Sequence, residues 1–225
     1  MENTPDLIRF FTRRTNTYVR FIRAVLYAQG IRAHFLRSPH LSSGLRVLDA
    51  GCGTGAVTMA LHEALLRRGL YPAAVHAFDL TPAMLDRFRR TLREQAVAGV
   101  ETKQANVLEL AQLPESWRNY DLVVSASMLE YVPRDRLVAA LAGLRQLLTP
   151  GGRFVLFVTR RNWLTRPLIS RWWEGNLYSA SEVATTLQMA GFESIEFGLF
   201  PAAFRHLNLW GHIVEAQNGA STSGR

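Results

Sequence analysis

The stretch VLDAGCGTG, residues 47–55, decides how this chain of 225 residues folds. Its apolar start predicts a strand over residues 45–49, and the glycines that follow permit the positive φ angles of tight turns. An apolar stripe at helical spacing over residues 57–65 then predicts a helix. A strand, a glycine turn and a helix in this order present free backbone N–H groups to a ligand.

Asp49 distinguishes between two classes of ligand for this turn. The spacing Gly51-x-Gly53-x-x-Ala56 also fits the looser dinucleotide fingerprint, which binds a pyrophosphate. A carboxylate two residues before Gly51 would repel a pyrophosphate and would attract a ligand that carries ammonium and sulfonium groups. Asp79 ends the next predicted strand, where its carboxylate can accept hydrogen bonds from a ribose diol in either class of ligand.

Strand and helix patterns alternate along the rest of the chain. This alternation implies parallel βαβ units and therefore a doubly wound α/β sheet. The last two predicted strands have no full helix between them, which indicates an antiparallel pair. Strands are predicted over residues 74–79, 101–105, 120–125, 153–159, 194–200 and 211–217. One or two helices are predicted over residues 5–37, and single helices over 82–98, 135–148 and 181–190.

Five motifs in order resemble those of the class I S-adenosylmethionine-dependent methyltransferases, in their small-molecule branch, over residues 45–217. The resemblance implies a seven-stranded, mostly parallel sheet with its last strand antiparallel. It also implies that ligand binds at the carboxyl ends of the strands. The motifs are VLDAGCGTG at 47–55, AFDLTPAML at 77–85, YDLVVSASMLEYVP at 120–133, LLTPGGRFVLF at 147–157 and SASEVATTLQMAGF at 179–192.

The same resemblance implies S-adenosyl-L-methionine as the cofactor. The family usually has an acid before the residue that contacts adenine, and Asn106 stands there in this chain. Its amide can still accept a hydrogen bond from adenine N6. The cofactor-binding residues implied are Asp49, Gly51, Cys52, Gly53, Gly55, Asp79, Leu80, Asn106, Val107 and Ser125.

Tyr131 and His206 are the candidate catalytic residues. Glu130 and Tyr131 follow the fourth strand, where the resembled family lines its active site; the alternative for Tyr131 is a packing role. A general base is needed only if the acceptor is a hydroxyl or a carbon acid. His206, like His34 and His212, has packing as its alternative role. The histidines are scattered, so no metal site is predicted.

The motifs that are absent after the fourth strand narrow the reaction. The Asn/Asp-Pro-Pro-aromatic motif of nucleic-acid amino methyltransferases is replaced by Ser125-Ala126-Ser127-Met128. The Pro-Cys nucleophile of cytosine-5 methyltransferases is also missing, because Cys52 has no neighbouring proline. A small-molecule or lipid acceptor, methylated on O, N or C by in-line displacement, is therefore favoured over nucleic acid. The alternatives are a non-catalytic S-adenosylmethionine-binding module, an RNA- or membrane-associated binding protein, and a nicotinamide-dependent oxidoreductase.

Composition predicts a cytoplasmic protein. The single cysteine excludes an internal disulfide, and the start of the chain lacks the charged-then-apolar order of a signal peptide. The net charge is +8, but nearly all of the basic residues are arginine. That bias favours a compositional origin of the charge over binding to nucleic acid.

Three parts are expected along the chain. They are an N-terminal helical cap over residues 1–40, a cofactor-binding domain over 41–217 and a flexible tail over 218–225. A cap insertion is expected at 160–178 within the domain. Both caps carry arginines and large apolar side chains, so we expect them to cover the acceptor pocket together. They favour an amphipathic or anionic acceptor, or peripheral contact with an anionic membrane. The sequence gives no oligomeric state.

Overall fold

The computed structural model describes residues 4–163, 165 and 175–219. Short 3₁₀-helices follow β3 and β4 and join β6 to β7. The α-helices among the described residues are α1 Thr4–Ala24, α2 Tyr27–Arg37, α3 Ala56–Arg67, α4 Pro82–Glu94, α5 Leu137–Gln146 and α6 Ala180–Met189. The strands are β1 Arg46–Ala50, β2 Ala74–Asp79, β3 Val100–Gln104, β4 Tyr120–Ala126, β5 Leu148–Thr159, β6 Phe192–Gly198 and β7 Gly211–Asn218.

The strands form one seven-stranded sheet in the order β3-β2-β1-β4-β5-β7-β6. β1 to β5 pair in parallel, whereas β7 is antiparallel to both β5 and β6, between which it lies. The predicted doubly wound α/β fold with an antiparallel last strand is confirmed. The strand order reverses direction at β1 and β4, which places the crevice of the sheet directly beyond the glycine turn.

Helices cover both faces of the sheet because alternate strand residues point to opposite sides. Leu48 and Val123 pack on one face against α5 and α6. Val47 and Val124 pack on the other face against α2 and α3. The central strands are therefore buried on both sides, which explains their continuous apolar sequence.

The segment 5–37, predicted as one helix or two, forms two helices, and Leu26 between them adopts a left-handed φ of 55°. Two predicted element boundaries are wrong by more than two residues. The helix predicted to reach residue 98 stops at Glu94, and Ala96 follows at a φ of 50°. β5 begins at Leu148 rather than at residue 153, because Leu148 already pairs with Tyr120 before a register shift in the ladder.

The N-terminal helices lie on different parts of the domain. α2 buries Ile31 and Phe35 against the sheet. α1 extends over the carboxyl ends of the strands, where the Phe11 ring contacts that of Tyr131 at a centroid distance of 4.7 Å. No helix within the described residues is long and apolar enough to cross a membrane.

Three of the segments predicted from sequence fall partly outside the described residues. Residues 1–3 of the predicted N-terminal cap are outside, as are residues 164 and 166–174 of the predicted cap insertion 160–178 and the tail beyond residue 219. The described ends of the insertion are joined, since the backbone N–H of Arg161 donates to the carbonyl of Tyr178 at 2.9 Å.

Gly55→Ala should destabilise the protein more than Gly44→Ala does. Both glycines have a φ of +83°, so alanine at either costs about 1–2 kcal/mol of backbone strain. A Cβ at Gly55 would lie 2.0 Å from Phe88 of α4, whereas a Cβ at Gly44 would meet nothing within 4 Å. Overpacking should therefore add about 1–3 kcal/mol at Gly55 alone. Urea unfolding of the two variants measures this difference, and equal losses would contradict it.

Candidate active site

Two cavities lie side by side at the carboxyl edge of the parallel strands. The first, with about 960 Å³ of empty space, lies beyond β1 to β4 and beneath α1. The second, of about 750 Å³, lies between α1, the ends of β4 and β5 and the start of β7. Three residues line both cavities: Tyr18, Ser127 and Tyr131.

The glycine turn is fastened to the end of β2. The backbone N–H groups of Gly51 and Cys52 both donate to the carbonyl of Phe78, at 2.8 and 2.9 Å. Gly51 has a φ of +77°, and a Cβ there would lie 2.2 Å from the side chain of Met128. Only glycine therefore fits this position, and its backbone forms part of the wall of the first cavity.

Asp79 connects the glycine turn to the start of α4. Its Oδ2 accepts from the backbone N–H of Gly53 and its Oδ1 from that of Thr81, both at 2.8 Å. Burial raises the pKa of this carboxyl group, and the two hydrogen bonds oppose that rise. Asp79 lines the first cavity together with Leu80, Asn106 and Val107, as the sequence predicted for one site. Asn106 Oδ1 accepts from the backbone N–H of Leu108 at 3.0 Å.

Asp49 is buried next to the glycine turn rather than in the wall of the cavity. Its Oδ2 accepts from Thr58 Oγ1 at 2.5 Å, and its Oδ1 has no hydrogen-bond partner. Burial raises the pKa of Asp49 to about 7, with a smaller contribution from the charge of Asp79. A buried carboxylate oxygen without a partner fits a cationic ligand group, because such a group would compensate its charge.

Four other predicted cofactor residues are not among those that line the first cavity. Cys52 packs with Leu85 and Phe88 behind the turn, and burial raises the pKa of its thiol. Gly53 and Gly55 shape the turn. Ser125 Oγ donates to the carbonyl of Ala50 at 2.9 Å, which joins β4 to β1 below the cavity.

Only one of the two predicted catalytic residues lies at the cavities. Tyr131 lines both cavities. His206 lines neither; its Nε2 lies 2.9 Å from the carbonyl of Val25 and ties the 3₁₀-helix Ala202–Leu209 to the end of α1. His212 lines the second cavity, whereas His34 lies 3.4 Å from Glu215.

Sequence reasoning missed most of the second cavity. Tyr18 and Tyr27 come from the N-terminal helices, and the aromatic residues on the inner side of those helices were the available signal. Tyr27 Oη lies 3.3 Å from Ser127 Oγ. Glu130 was noted only for its position, yet it is an acid in an otherwise apolar run. Across the part of the chain that the structure describes, no three His, Cys, Asp or Glu side chains are placed to hold a metal.

Asp49→Asn should stabilise the ligand-free protein increasingly as pH rises. Because the pKa in the folded state lies above the unfolded value, stability from this group is present at low pH and is lost as pH rises towards about 7. The variant should gain roughly 2–3 kcal/mol more over wild type at about pH 8 than at about pH 5. Denaturant unfolding at both pH values measures the gain. Asp86→Asn, at an exposed site on α4, is the control; a gain independent of pH would contradict the assignment.

The comparisons with known proteins agree with this geometry. Residues 47–152 match the family described as "Methyltransferase domain". The chain is 35% identical over 120 residues to the ubiquinone biosynthesis O-methyltransferase of Acinetobacter baylyi, which is 53% of this chain and 46% of that protein. It is 29% identical over 199 residues to a highly reducing polyketide synthase of Cordyceps militaris, which is 81% of this chain and 7% of that protein. The chain thus spans half or less of the length of these curated relatives.

Solved structures share the fold. Magnesium protoporphyrin IX methyltransferase from Synechocystis, with S-adenosylmethionine bound, matches with a TM-score of 0.67 at 18% identity. The match covers 97% of this chain and 98% of that one. An O-methyltransferase family protein from Burkholderia thailandensis matches with a TM-score of 0.70 at 18% identity, over 95% of this chain and 62% of that one. The predicted resemblance to the class I S-adenosylmethionine-dependent methyltransferases is confirmed: residues 47–152 match a methyltransferase domain, and the chain shares the fold of solved methyltransferases.

Proposed function

We propose that the protein is an enzyme that transfers a methyl group from S-adenosyl-L-methionine to a small-molecule or lipid acceptor. One observation carries this proposal: two cavities at the carboxyl ends of the strands meet at Ser127 and Tyr131. The first has carboxylate and amide groups at its strand ends, which suit a nucleoside. The second has a mainly apolar wall, which suits a separate organic molecule.

The first cavity would hold the cofactor through the residues predicted from sequence. Asp79 would accept from the ribose diol, and Leu80, Asn106 and Val107 would border the adenine. Asp49 would offset the charge of the cationic end through its unpartnered Oδ1. Gly51, Cys52, Gly53 and Gly55 would shape the turn, and Ser125 would support it from β4.

The chain's own contribution to catalysis is to position the acceptor and exclude water. S-adenosylmethionine, when bound, would supply a methyl group on a sulfonium sulfur that can leave with the bonding electron pair. Holding an acceptor at attack distance in a dry site accounts for much of such a rate enhancement. Tyr131 is the proposed contact at the junction of the cavities. His206 stays a prediction, and its bond to Val25 favours a structural role.

The proposed division of the chain follows the sequence prediction. Residues 1–40 would serve as the helical cap, 41–217 as the catalytic domain with the insertion 160–178, and 218–225 as a tail. The position of α1 over the first cavity supports the cap. A cytoplasmic location stays a prediction from composition.

Peripheral contact with an anionic membrane is the second part of the proposal. The rim of the second cavity carries exposed apolar side chains: Trp163 is 86% exposed and Leu209 is 57% exposed. These segments meet at the cavity, because Asn162 Nδ2 donates to the carbonyl of Leu209 at 2.6 Å and the N–H of Arg160 donates to that of Trp210 at 2.9 Å. Trp210 lines the cavity.

Arginines accompany this rim. Arg160 and Arg205 are exposed beside its apolar side chains, and Arg23 is exposed near the end of α1. Aromatic and aliphatic side chains bordered by arginine suit the boundary between lipid headgroups and acyl chains. An acceptor dissolved in a bilayer would then enter the second cavity directly.

Asp79→Ala should weaken binding of S-adenosylhomocysteine more than tenfold. Hydrogen bonds to a charged group contribute about 1.5–3 kcal/mol, which is roughly one to two decades in affinity. Isothermal titration calorimetry measures the loss, with circular dichroism to verify the fold and Asp86→Ala as the control. Wild-type affinity in a folded Asp79→Ala variant would remove Asp79 from the site. Binding of NAD without binding of S-adenosylhomocysteine would refute the proposed function.

Replacing Trp163 and Leu209 together with serine should reduce binding to vesicles of phosphatidylcholine and phosphatidylglycerol at least tenfold. Burial of each large apolar side chain contributes about 1.5–3 kcal/mol of binding free energy. Losing even part of two such contributions lowers the affinity for the vesicles more than tenfold. Co-sedimentation measures the binding, which should also weaken with salt.

A matched control is available at the opposite edge of the sheet. Tyr71 and Met189, each 68% exposed, precede the first residues of β2 and β6. Replacing both with serine should leave vesicle binding unchanged. Equal loss in the two double variants, or equal binding to vesicles of phosphatidylcholine alone, would contradict a membrane-facing rim.

A further inference from the structure

Glu130 is a buried carboxylate with one hydrogen-bonded oxygen and one oxygen that has no hydrogen-bond partner. It lies in the 3₁₀-helix Leu129–Tyr131 directly after β4 and is only 2% exposed. Its Oε1 accepts from the backbone N–H of Thr159 at 2.7 Å and from Thr159 Oγ1 at 2.8 Å. Its Oε2 has no hydrogen-bond partner. Leaving a buried carboxylate oxygen unpaired costs free energy, so this arrangement calls for a ligand that supplies the missing donor.

The position of Glu130 is fixed from both sides. Thr159 at the end of β5 holds the carboxylate, and the backbone N–H of Asn176 donates to the Glu130 carbonyl at 2.8 Å. The side chain therefore does not have to reorganise when a ligand arrives, which favours binding. Glu130 lines the second cavity next to Tyr131, which is shared with the first.

The remaining wall of the second cavity restricts what this carboxylate can meet. Among its described lining residues, Glu130 is the only carboxylate, and there is no arginine or lysine. An anionic acceptor would find no opposite charge there. The apolar lining side chains are Phe21, Ile22, Val25, Phe157, Val158, Phe200, Leu207 and Trp210.

We propose that Glu130 Oε2 receives the hydroxyl group of a neutral, mainly apolar acceptor in the second cavity and takes its proton. This inference rests on the proposed function and narrows its acceptor to a hydroxyl-bearing molecule such as a phenol or an enol. The acceptor's apolar body lies against the aromatic wall, and its O–H donates to Oε2.

The proton balance of this step is simple. As the acceptor oxygen gains its methyl group, its O–H bond breaks and the proton moves to Glu130 Oε2, which becomes a neutral carboxylic acid. The carboxylate regains its charge by losing the proton to water after the product leaves. Burial raises the pKa of Glu130, so its carboxylate is a stronger base than an exposed glutamate. Thr159 is a positioning residue, since it acts only through the carboxylate.

Binding of small naphthalene probes tests the inference without knowledge of the natural acceptor. The probes are 2-naphthol, which donates a hydrogen bond, 2-methoxynaphthalene, which cannot, and the anion 2-naphthoate. Calorimetry with the full chain saturated with S-adenosylhomocysteine should show wild type binding 2-naphthol at least about tenfold more tightly than the other two, as expected for a hydrogen bond to a charged acceptor.

Glu130→Gln exchanges the free acceptor for a donor while its remaining oxygen can still accept from Thr159. The preference for 2-naphthol over 2-methoxynaphthalene should therefore fall to about one or reverse. Thr159→Val, which removes one of the two bonds to Oε1, should reduce the preference less. Glu215→Gln, a largely buried carboxylate on β7 outside the cavity, should keep it. Val25→Trp, which fills the cavity, should abolish binding of every probe.

An unchanged preference in both Glu130→Gln and Thr159→Val would overturn the inference. So would tighter binding of 2-naphthoate by wild type, no binding of 2-naphthol, or binding that survives Val25→Trp. Failure of the proposed function gives a different result: the same preparation would not bind S-adenosylhomocysteine.

Discussion

The two hydrogen bonds accepted by Asp79 are the constraint on which the glycine-turn side of the first cavity depends. One carboxylate holds the N–H of Gly53 from the turn after β1 and the N–H of Thr81 before α4. Two loops from neighbouring strands are thereby fixed at one point. The turn cannot drift from the sheet edge, because Phe78 just before Asp79 accepts two further N–H groups from it. This backbone network fixes the glycine turn that forms one wall of the first cavity.

The second cavity depends on a different kind of contact. Its walls come from five regions of the chain: the N-terminal helices, the segment after β4, the end of β5, the segment 200–210 and the start of β7. Aromatic packing joins them, as between Phe21 and Trp210 at a centroid distance of 6.1 Å. A hydrogen bond between His206 Nε2 and the carbonyl of Val25 adds a polar contact. The second cavity, which we propose holds the acceptor, is therefore formed by tertiary contacts between distant segments and not by a local motif.

This difference explains what the sequence could predict. The cofactor site was accessible because β1, its turn and α3 are consecutive, so the residue types of 47–55 determine their own geometry. Asp79, Leu80, Asn106 and Val107 follow from strand ends that must converge at one edge of a parallel sheet. The role of Glu130 was not accessible, because its burial and its bonds to Thr159 depend on β5. The sequence left open whether 5–37 forms one helix or two, because a left-handed leucine such as Leu26 has no sequence signature.

The placement of β7 has a consequence for synthesis of the chain. β6 has no strand partner other than β7 among the described residues, and β7 is the last strand to be made. The β1–β5 layer can pair as it emerges from the ribosome, but β6 must wait for residues 211–218 before its ladder closes. Contacts between distant segments form slowly, and an unpaired strand is prone to aggregate. The second cavity, which β7 helps to line, can thus close only after β1 to β5 have been made.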